Sequence, residues 1–547
     1  MPLLRPRPPA WRWFAAGAAA LLLTLATTEP VATASADPDG THGQRCSRTG
    51  TSLRYLVLFD EGTGRGQAGR EIKRACGKLV VYYDAIAVGI ATSEHPLFAE
   101  AMGPARVYSA QARRAETAAD SAPKPSITPQ SRHDASDTAD RSDEQWGLEM
   151  INARAAREAA GPGAEVIVGV LDSGVDDRHP ELAHAVDTER SVGCLGGKPD
   201  RSRAAWRPST SVHGTHVAGT IAAADDGVGV VGVAPQVRVA SIKVIDDAGR
   251  VDPEAAVCGL MWASKKRMRV TNSSFFVDTG PTSCMSDDEF GVVREAITRA
   301  ADYATEFGTL NIAAATNEAV NLSPAGSTGD ECVALPASIP SVLTVSAVDR
   351  SGLKSGYSSY GLGVISLTAP GGDDGECVLS TIPGGYADTC GTSMAAPHVA
   401  GVAALLAAQD PDAGPAEIRQ ALQSTARQTA CPADYDRTGD GHQDAFCTGY
   451  RGYNSFYGHG LVDALAAVQA FSRESDDDTA ADTRDGTATI ATSSTESAQQ
   501  HRTDTPHGAG HADDGQDDQD RAIAEHADVE NTVRTLTKQL DSVVQGR

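Results

Sequence analysis

Apolar positions along this chain change their period several times, and each change marks an element. From Val166 the run VIVGVLD is continuously apolar up to Asp172, which predicts a strand buried on both faces, as in a parallel sheet. Nearer the start, RYLVLFD (Arg54 to Asp60) predicts a strand and Ala68 to Ala75 a helix. KLVVYYDAIAVGIATS (Lys78 to Ser93) then predicts two paired strands joined by a turn. Two stretches of small residues predict helices: one follows His213 in VHGTHVAGT, the other starts at Ala395-Ala396-Pro397.

The ends of the chain read differently. Arg5, Arg7 and Arg12 precede an apolar stretch from Trp13 to Leu25 and then Ala34-Ser35-Ala36, the order of an export signal with an A-x-A cleavage site over 1–36. A membrane anchor is the competing reading, but the stretch is short for a bilayer span, so after cleavage no membrane association is expected. Residues 37–110 carry the first strand and helix pattern, and 111–144 are rich in Ser, Asp, Ala and Pro, as an exposed linker would be. A large unit spans 145–472. Beyond it, 473–547 lose aromatic residues and gain Asp, Thr, Ser and Gly, the composition of a disordered tail. Val529, Val533, Leu536, Leu540 and Val543 then restore a short helical seam, too brief to argue for a coiled coil.

A formal net charge of −25 excludes nucleic acid as an expected partner, because phosphate binding needs clustered Lys and Arg. Arg201, Arg203 and Arg207 beside Trp206 are the local exception, open to lining an acidic substrate or to being a solvated loop.

The candidate chemistry sits at the ends of these elements. Gly391-Thr392-Ser393 places a serine at a helix start, where unpaired N–H groups suit an anion, although Thr or Ser there also serves as an ordinary cap. Asp172 ends a buried strand, where active groups of open α/β sheets gather, and His213 opens a turn. Together the three have the side chains of a nucleophile, its general base and the carboxylate that orients the base.

These runs, DSGVD, HGTHVAGT and GTSMAAPHVAG in the order Asp, His, Ser, closely resemble the signatures of the subtilisin-like serine peptidases, whose chain order this is. The likeness extends from Gln145 to Phe471 and includes Asn317-Glu318-Ala319, GVGVVGVAP from Gly227 and YGHGLVDALAAV from Tyr457, which it implies to be a terminal helix. It implies an α/β fold with a mainly parallel sheet and helices on both faces. A small α+β, ferredoxin-like propeptide of residues 37–110 would precede it as intramolecular inhibitor, and cleavage would fall within the linker. It also implies a triad of Asp172, His213 and Ser393 hydrolysing polypeptides through an acyl-enzyme, with an oxyanion hole from the Asn317 amide and the Ser393 N–H. Losing such a donor costs roughly 3 to 4 kcal/mol, a magnitude that comes from subtilisin itself.

For substrate binding the resemblance implies Gly249, Arg250 and Val251 as an edge strand for an extended peptide, and a pocket from Ser274, Phe275, Phe276, Ala314 and Thr316. Relatives usually carry Gly where Thr316 stands and Leu-Gly where Phe275-Phe276 stand, which suggests a narrow cleft favouring small P1 side chains. The alternatives are a catalytically impaired peptide-binding relative and a narrow-specificity processing peptidase. No cofactor is expected for catalysis. Structural calcium is open at Glu181 and Asp226, by resemblance. It is open too at Asp436, Asp440 and Asp444, which fit part of a calcium-loop spacing and equally fit a solvated acidic turn.

Ten cysteines in an exported chain favour disulfides. Cys46 and Cys76 precede the linker and eight follow it. Cys377 and Cys390 flank a Gly384-Gly385 turn, Cys431 and Cys447 bracket the acidic loop, and the rest can pair as Cys194 with Cys258 and Cys284 with Cys332.

Overall fold

The computed structural model describes residue 46 and residues 50–116, 132–134, 139–277, 290–323 and 332–472. The expected export signal, the acidic tail with its Val529 to Val543 seam, and most of the linker lie outside the described residues.

The apolar run after Val166 forms the strand Ile167–Asp172, buried at every position, near the middle of a seven-stranded sheet. From one edge to the other the order is Ile365–Pro370, Leu343–Val348, Leu310–Ala314, Val270–Ser273, Ile167–Asp172, Arg238–Lys243 and Val192–Gly193. All neighbouring pairs are parallel. Burial on both faces follows from alternation along the central strand. Val168 and Val170 point into a core shared with the helix Thr392–Gln409, while Ile167 and Leu171 point into a second core shared with the helix Pro253–Lys265. The chain passes from Arg238–Lys243 on one side of Ile167–Asp172 to Val270–Ser273 on the other. The strand order therefore reverses at the carboxyl end of the central strand, where Asp172 sits and where a crevice forms in open sheets.

Small residues make the second feature possible. In the helix Thr392–Gln409 every residue from Thr392 to Ala408 is buried, because its Ala and Gly residues let neighbours approach from all sides. At Gly401 a Cβ would stand 2.5 Å from Cβ of Val233, so no larger residue fits.

The first strand and helix pattern folds as a separate layer. Leu53–Leu58, Arg65–Arg74, Gly77–Tyr83, Val88–Ser93, Phe98–Met102 and Val107–Tyr108 build a four-stranded sheet in the order Gly77–Tyr83, Val88–Ser93, Leu53–Leu58, Val107–Tyr108. That βαββαβ arrangement has the ferredoxin-like topology. Alternation again assigns the faces: Tyr55, Val57 and Phe59 enter the unit's own core, whereas Leu56, Val88 and Ile90 join the core that contains Val257 and Ile297 of the large unit.

Three boundaries differ from expectation. Ala110–Glu116 is a helix tied to the N-terminal sheet, since the Arg54 N–H donates to Gln111 Oε1 at 2.8 Å. Arg132–Asp134 is a strand paired with Gly385–Ala387, and Arg141 N–H donates to Gly229 O at 2.7 Å. The large unit thus takes in residues before 145, and the region between its fixed start and the N-terminal layer is shorter than 111–144. The last helix also starts later than Tyr457, with residues 464–472 helical, because Val462 N–H first pairs with Thr368 O.

Disulfides Cys46–Cys76, Cys194–Cys258, Cys377–Cys390 and Cys431–Cys447 are formed. Cys332 is also disulfide-bonded, whereas Cys284, its expected partner, lies outside the described residues.

Candidate active site

Asp172, the last residue of the central strand, is fully buried, and its Oδ1 accepts from Ser173 N–H and from His213 Nδ1, each at 2.7 Å. The imidazole reaches it because His213 opens the helix His213–Ala222 and the next residue is Gly214, where a Cβ would lie 3.0 Å from Asp172 Oδ1. With Nδ1–H committed to the carboxylate, Nε2 is left as the basic nitrogen.

Ser393 lies one residue inside the helix Thr392–Gln409, so its N–H belongs to the first turn and has no intrahelical acceptor. Its hydroxyl donates to Ser274 O at 3.2 Å. Asn317 is exposed toward the same point: its Oδ1 accepts from Thr392 N–H at 2.9 Å and from Thr392 Oγ1 at 2.7 Å. Its Nδ2 stands 3.3 Å from where a Cβ on Gly391 would be, facing the turn that carries Ser393. Thr316 occupies a buried position at φ +82°, a conformation that costs a β-branched residue free energy. Ser359 holds it there, with Oγ 2.7 Å from Thr316 Oγ1 and N–H donating to Thr316 O at 3.1 Å. The local backbone that a Gly would adopt freely is thus reached by a threonine with a side-chain clamp.

The other motif histidines are structural. His216 Nε2 donates to Val378 O and Ala387 O, and burial pushes its pKa down to about 3. His398 Nδ1 bonds Met394 O, and burial lowers it to about 4. His179 Nε2 meets Gly385 O at 2.9 Å, and burial lowers it too.

The substrate-binding expectations divide. Ser274 and Ala314 are buried at the carboxyl ends of adjacent strands, beside Thr316. Phe275 is buried in the second core, and Phe276 is the half-buried aromatic. Gly249 to Val251, expected as an edge for an extended peptide, carry no assigned strand among the described residues. Gly249 and Arg250 belong to a turn closed by Asp246 N–H donating to Arg250 O at 2.9 Å, with Gly249 at φ +75°. Arg250 is spent on Asp246 Oδ2 through Nε at 3.1 Å, while Val251 is buried. Arg207 and Arg203 are likewise paired with Asp176 and Asp177, and Trp206 is buried, so that cluster fixes a loop.

Among the described residues no group of three or more His, Cys, Asp or Glu is gathered to hold a metal. In the acidic loop Asp436 spends its oxygens on the N–H groups of Gly439 at 2.7 Å and Gly441 at 2.8 Å. Asp444 takes those of Arg437 and Thr438, and Asp440 that of His442. These carboxylates organise their own turn. Glu181 differs: Oε1 accepts from Tyr386 OH at 2.8 Å, but Oε2 is buried without a hydrogen-bond partner. Burial, and then Asp226, raise its pKa to about 7.

The model of the subtilase family matches residues 163–460. The chain belongs to the subtilase family. It is 34% identical over 333 residues to Subtilisin NAT of Bacillus subtilis subsp. natto, covering 59% of this chain and 71% of the relative. It is 34% identical over 333 residues to subtilisin of Bacillus pumilus, covering 59% of this chain and 98% of the relative. Among solved structures, the epidermin leader peptide processing serine protease of Staphylococcus aureus superposes with a TM-score of 0.55 at 19% identity, over 77% of this chain and 98% of that one, a likeness of fold alone. This subtilase is a serine endopeptidase, a hydrolase of polypeptides that needs no cofactor for catalysis. Among the described residues no helix is long and apolar enough to cross a membrane.

The sequence missed Ser359, and it named Ser274 as a pocket residue without its bond to the Ser393 carbonyl. Nothing in their spacing marks which of many serines will meet Thr316 or the nucleophile's backbone.

Proposed function

We propose that this subtilase is an exported endopeptidase made as a zymogen, with Ser393, His213 and Asp172 as its triad. The observation that carries the reading is the 2.7 Å bond from His213 Nδ1 to Asp172 Oδ1, beside a helix N-terminus bearing Ser393 and facing Asn317. The Ser393 hydroxyl turns from Ser274 O to His213 Nε2, which takes its proton as Oγ attacks the scissile carbonyl. Ser393 N–H and the Asn317 amide receive the oxyanion. The C–N bond breaks, His213 returns the proton to the leaving amine, and water, activated by the same imidazole, hydrolyses the acyl-enzyme.

The N-terminal layer is its propeptide. Arg114 grips Asp252 through NH1 at 2.6 Å, Arg54 NH1 meets Glu254 at 3.2 Å, and Tyr83 OH donates to Gly197 O at 2.8 Å. Both of its cysteines bond each other, so cleavage between 117 and 131 leaves no covalent tie. Arg132–Asp134, paired to Gly385–Ala387, then stays with the mature enzyme. Glu181 with Asp226 is the pair that would hold a structural calcium, a hard cation suited to an unpartnered carboxylate oxygen.

A serine-directed fluorophosphonate tests the central reading. Mature enzyme should be labelled and Ser393→Ala should not; unlabelled mature enzyme would overturn it.

A further inference from the structure

Lys354 is fully buried, an unusual place for an ammonium on a surface-poor loop. Its Nζ donates to Ser355 O at 2.9 Å and Ser358 O at 2.7 Å, and stands 5.5, 5.0 and 5.3 Å from the ring centroids of Tyr360, Tyr435 and Phe456. Three aromatic faces and two carbonyls together compensate a cation that burial would otherwise expel. The charged groups around it are Arg437, whose NH1 donates to Lys354 O at 3.2 Å, and the acids Asp349, Asp373 and Asp444. Tyr457 adds a hydroxyl that accepts from Lys354 N–H. Burial, reinforced by Arg437, lowers the lysine's pKa to about 7.

The two carbonyls belong to a short segment that touches the site at both ends. At one end is Ser359, the clamp on Thr316, directly before Asn317. Toward the other end Ser355 Oγ donates to Gly372 O at 2.9 Å and Tyr357 OH to Gly371 O at 3.0 Å, and Gly371 O accepts Gly391 N–H, two residues before Ser393. Segment 354–359 is therefore a bracket between the oxyanion loop and the nucleophile turn.

We propose that Lys354 is a positioning residue for the oxyanion hole: by tying Ser355 O to Ser358 O it fixes Ser359, and Ser359 keeps Thr316 at positive φ so that the Asn317 amide stays aimed beside Ser393. This rests on Asn317 being the oxyanion donor. The physical need arises from Thr316 itself. A glycine reaches φ +82° without help, whereas a threonine requires its neighbours to over-determine the conformation.

The test is a kinetic cycle on mature enzyme, with active sites counted by fluorophosphonate. Lys354→Met retains the bulk but not the donors. It should lower kcat about tenfold with KM within about twofold, since misaiming a donor costs less than removing it. In a Thr316→Gly background, the same substitution should lower kcat less than about twofold, because glycine no longer needs the bracket. Unchanged kcat in Lys354→Met overturns the inference, as does an equal loss in both backgrounds. Should Lys354→Met fail to fold, Ser359→Ala cuts the clamp and leaves the caged lysine intact; it must show the same dependence on residue 316. Asn317→Ala separates the two readings: an undiminished kcat there refutes the oxyanion assignment, whatever Lys354 does.

Discussion

The hydroxyl of Ser274 donates to the carbonyl of Ser393 at 2.9 Å, and the hydroxyl of Ser393 donates back to the carbonyl of Ser274 at 3.2 Å. Helix geometry explains the first bond. The carbonyl of Ser393 would ordinarily accept from the N–H four residues on, but that residue is Pro397, which has none. Ser274 replaces the missing donor, and Asn272 Nδ2, 2.8 Å from its Oγ, fixes the rotamer. A proline in the second turn thus binds the nucleophile's backbone to the strand end that forms the cleft.

Ser274→Ala should leave that buried carbonyl unsatisfied, at a cost of about 1 to 3 kcal/mol. The measurement is the urea midpoint in a Ser393→Ala background, which keeps the carbonyl and prevents self-digestion. An unchanged midpoint would mean that water or helix distortion already satisfies the group.

Release of the N-terminal layer should depend on pH through Glu254. Burial, and then Asp252, raise its pKa to about 7, despite Arg54. A group whose pKa is raised in the bound state favours that state below its ordinary value near 4.5, and the advantage disappears as pH rises through about 7. Processed enzyme should therefore gain activity faster at pH 8 than at pH 5. Glu254→Gln should flatten this dependence, and a slope that survives in the variant would assign it elsewhere.

What the residues disclosed beforehand was the part set by local pattern. Asp172 was legible because an apolar run ended in it, and His213 and Ser393 because glycines and small residues frame them. The turn at Gly249 was not legible, since a turn closed by Asp246 and an extended edge strand carry the same composition of Gly and polar residues. The burial of Phe275 was not legible because adjacent residues of a strand end face opposite ways, and sequence does not say which phenylalanine turns inward. The clamp of Ser359 on Thr316 was illegible, being a contact between distant loops with no period. The N-terminal sheet was legible in its elements but not in its faces: Tyr55 and Leu56 are both apolar, and only packing against Val257 and Ile297 separates their roles.

Cys377 and Cys390 staple the hairpin Val378–Ile382 and Gly385–Thr389, whose end runs into Gly391. Replacing both by Ala should cost roughly 3 kcal/mol, the chain-entropy value for a loop of this size. The same change should lower kcat, because the turn bearing Ser393 loses its anchor at Cys390. Denaturation in the Ser393→Ala background reads the first effect and active-site-normalised kinetics the second. A stability loss with unaltered kcat would confine the disulfide to folding.

Glu181 decides whether a cation belongs near Asp226. Its carboxyl is raised to about 7 by burial and by Asp226, so with chelator present the folded state should lose stability as pH rises from about 4.5 through about 7. Calcium would compensate the ionised carboxylate and reverse that loss. Thermal midpoints at pH 8 should therefore rise on adding millimolar calcium to wild type and remain unmoved in Glu181→Gln, which retains the shape and hydrogen-bonding capacity of the side chain but not the charge. Asp436→Asn should keep the full calcium response, since its oxygens already serve Gly439 and Gly441. A response lost in Asp436→Asn and retained in Glu181→Gln would move the site to the acidic loop.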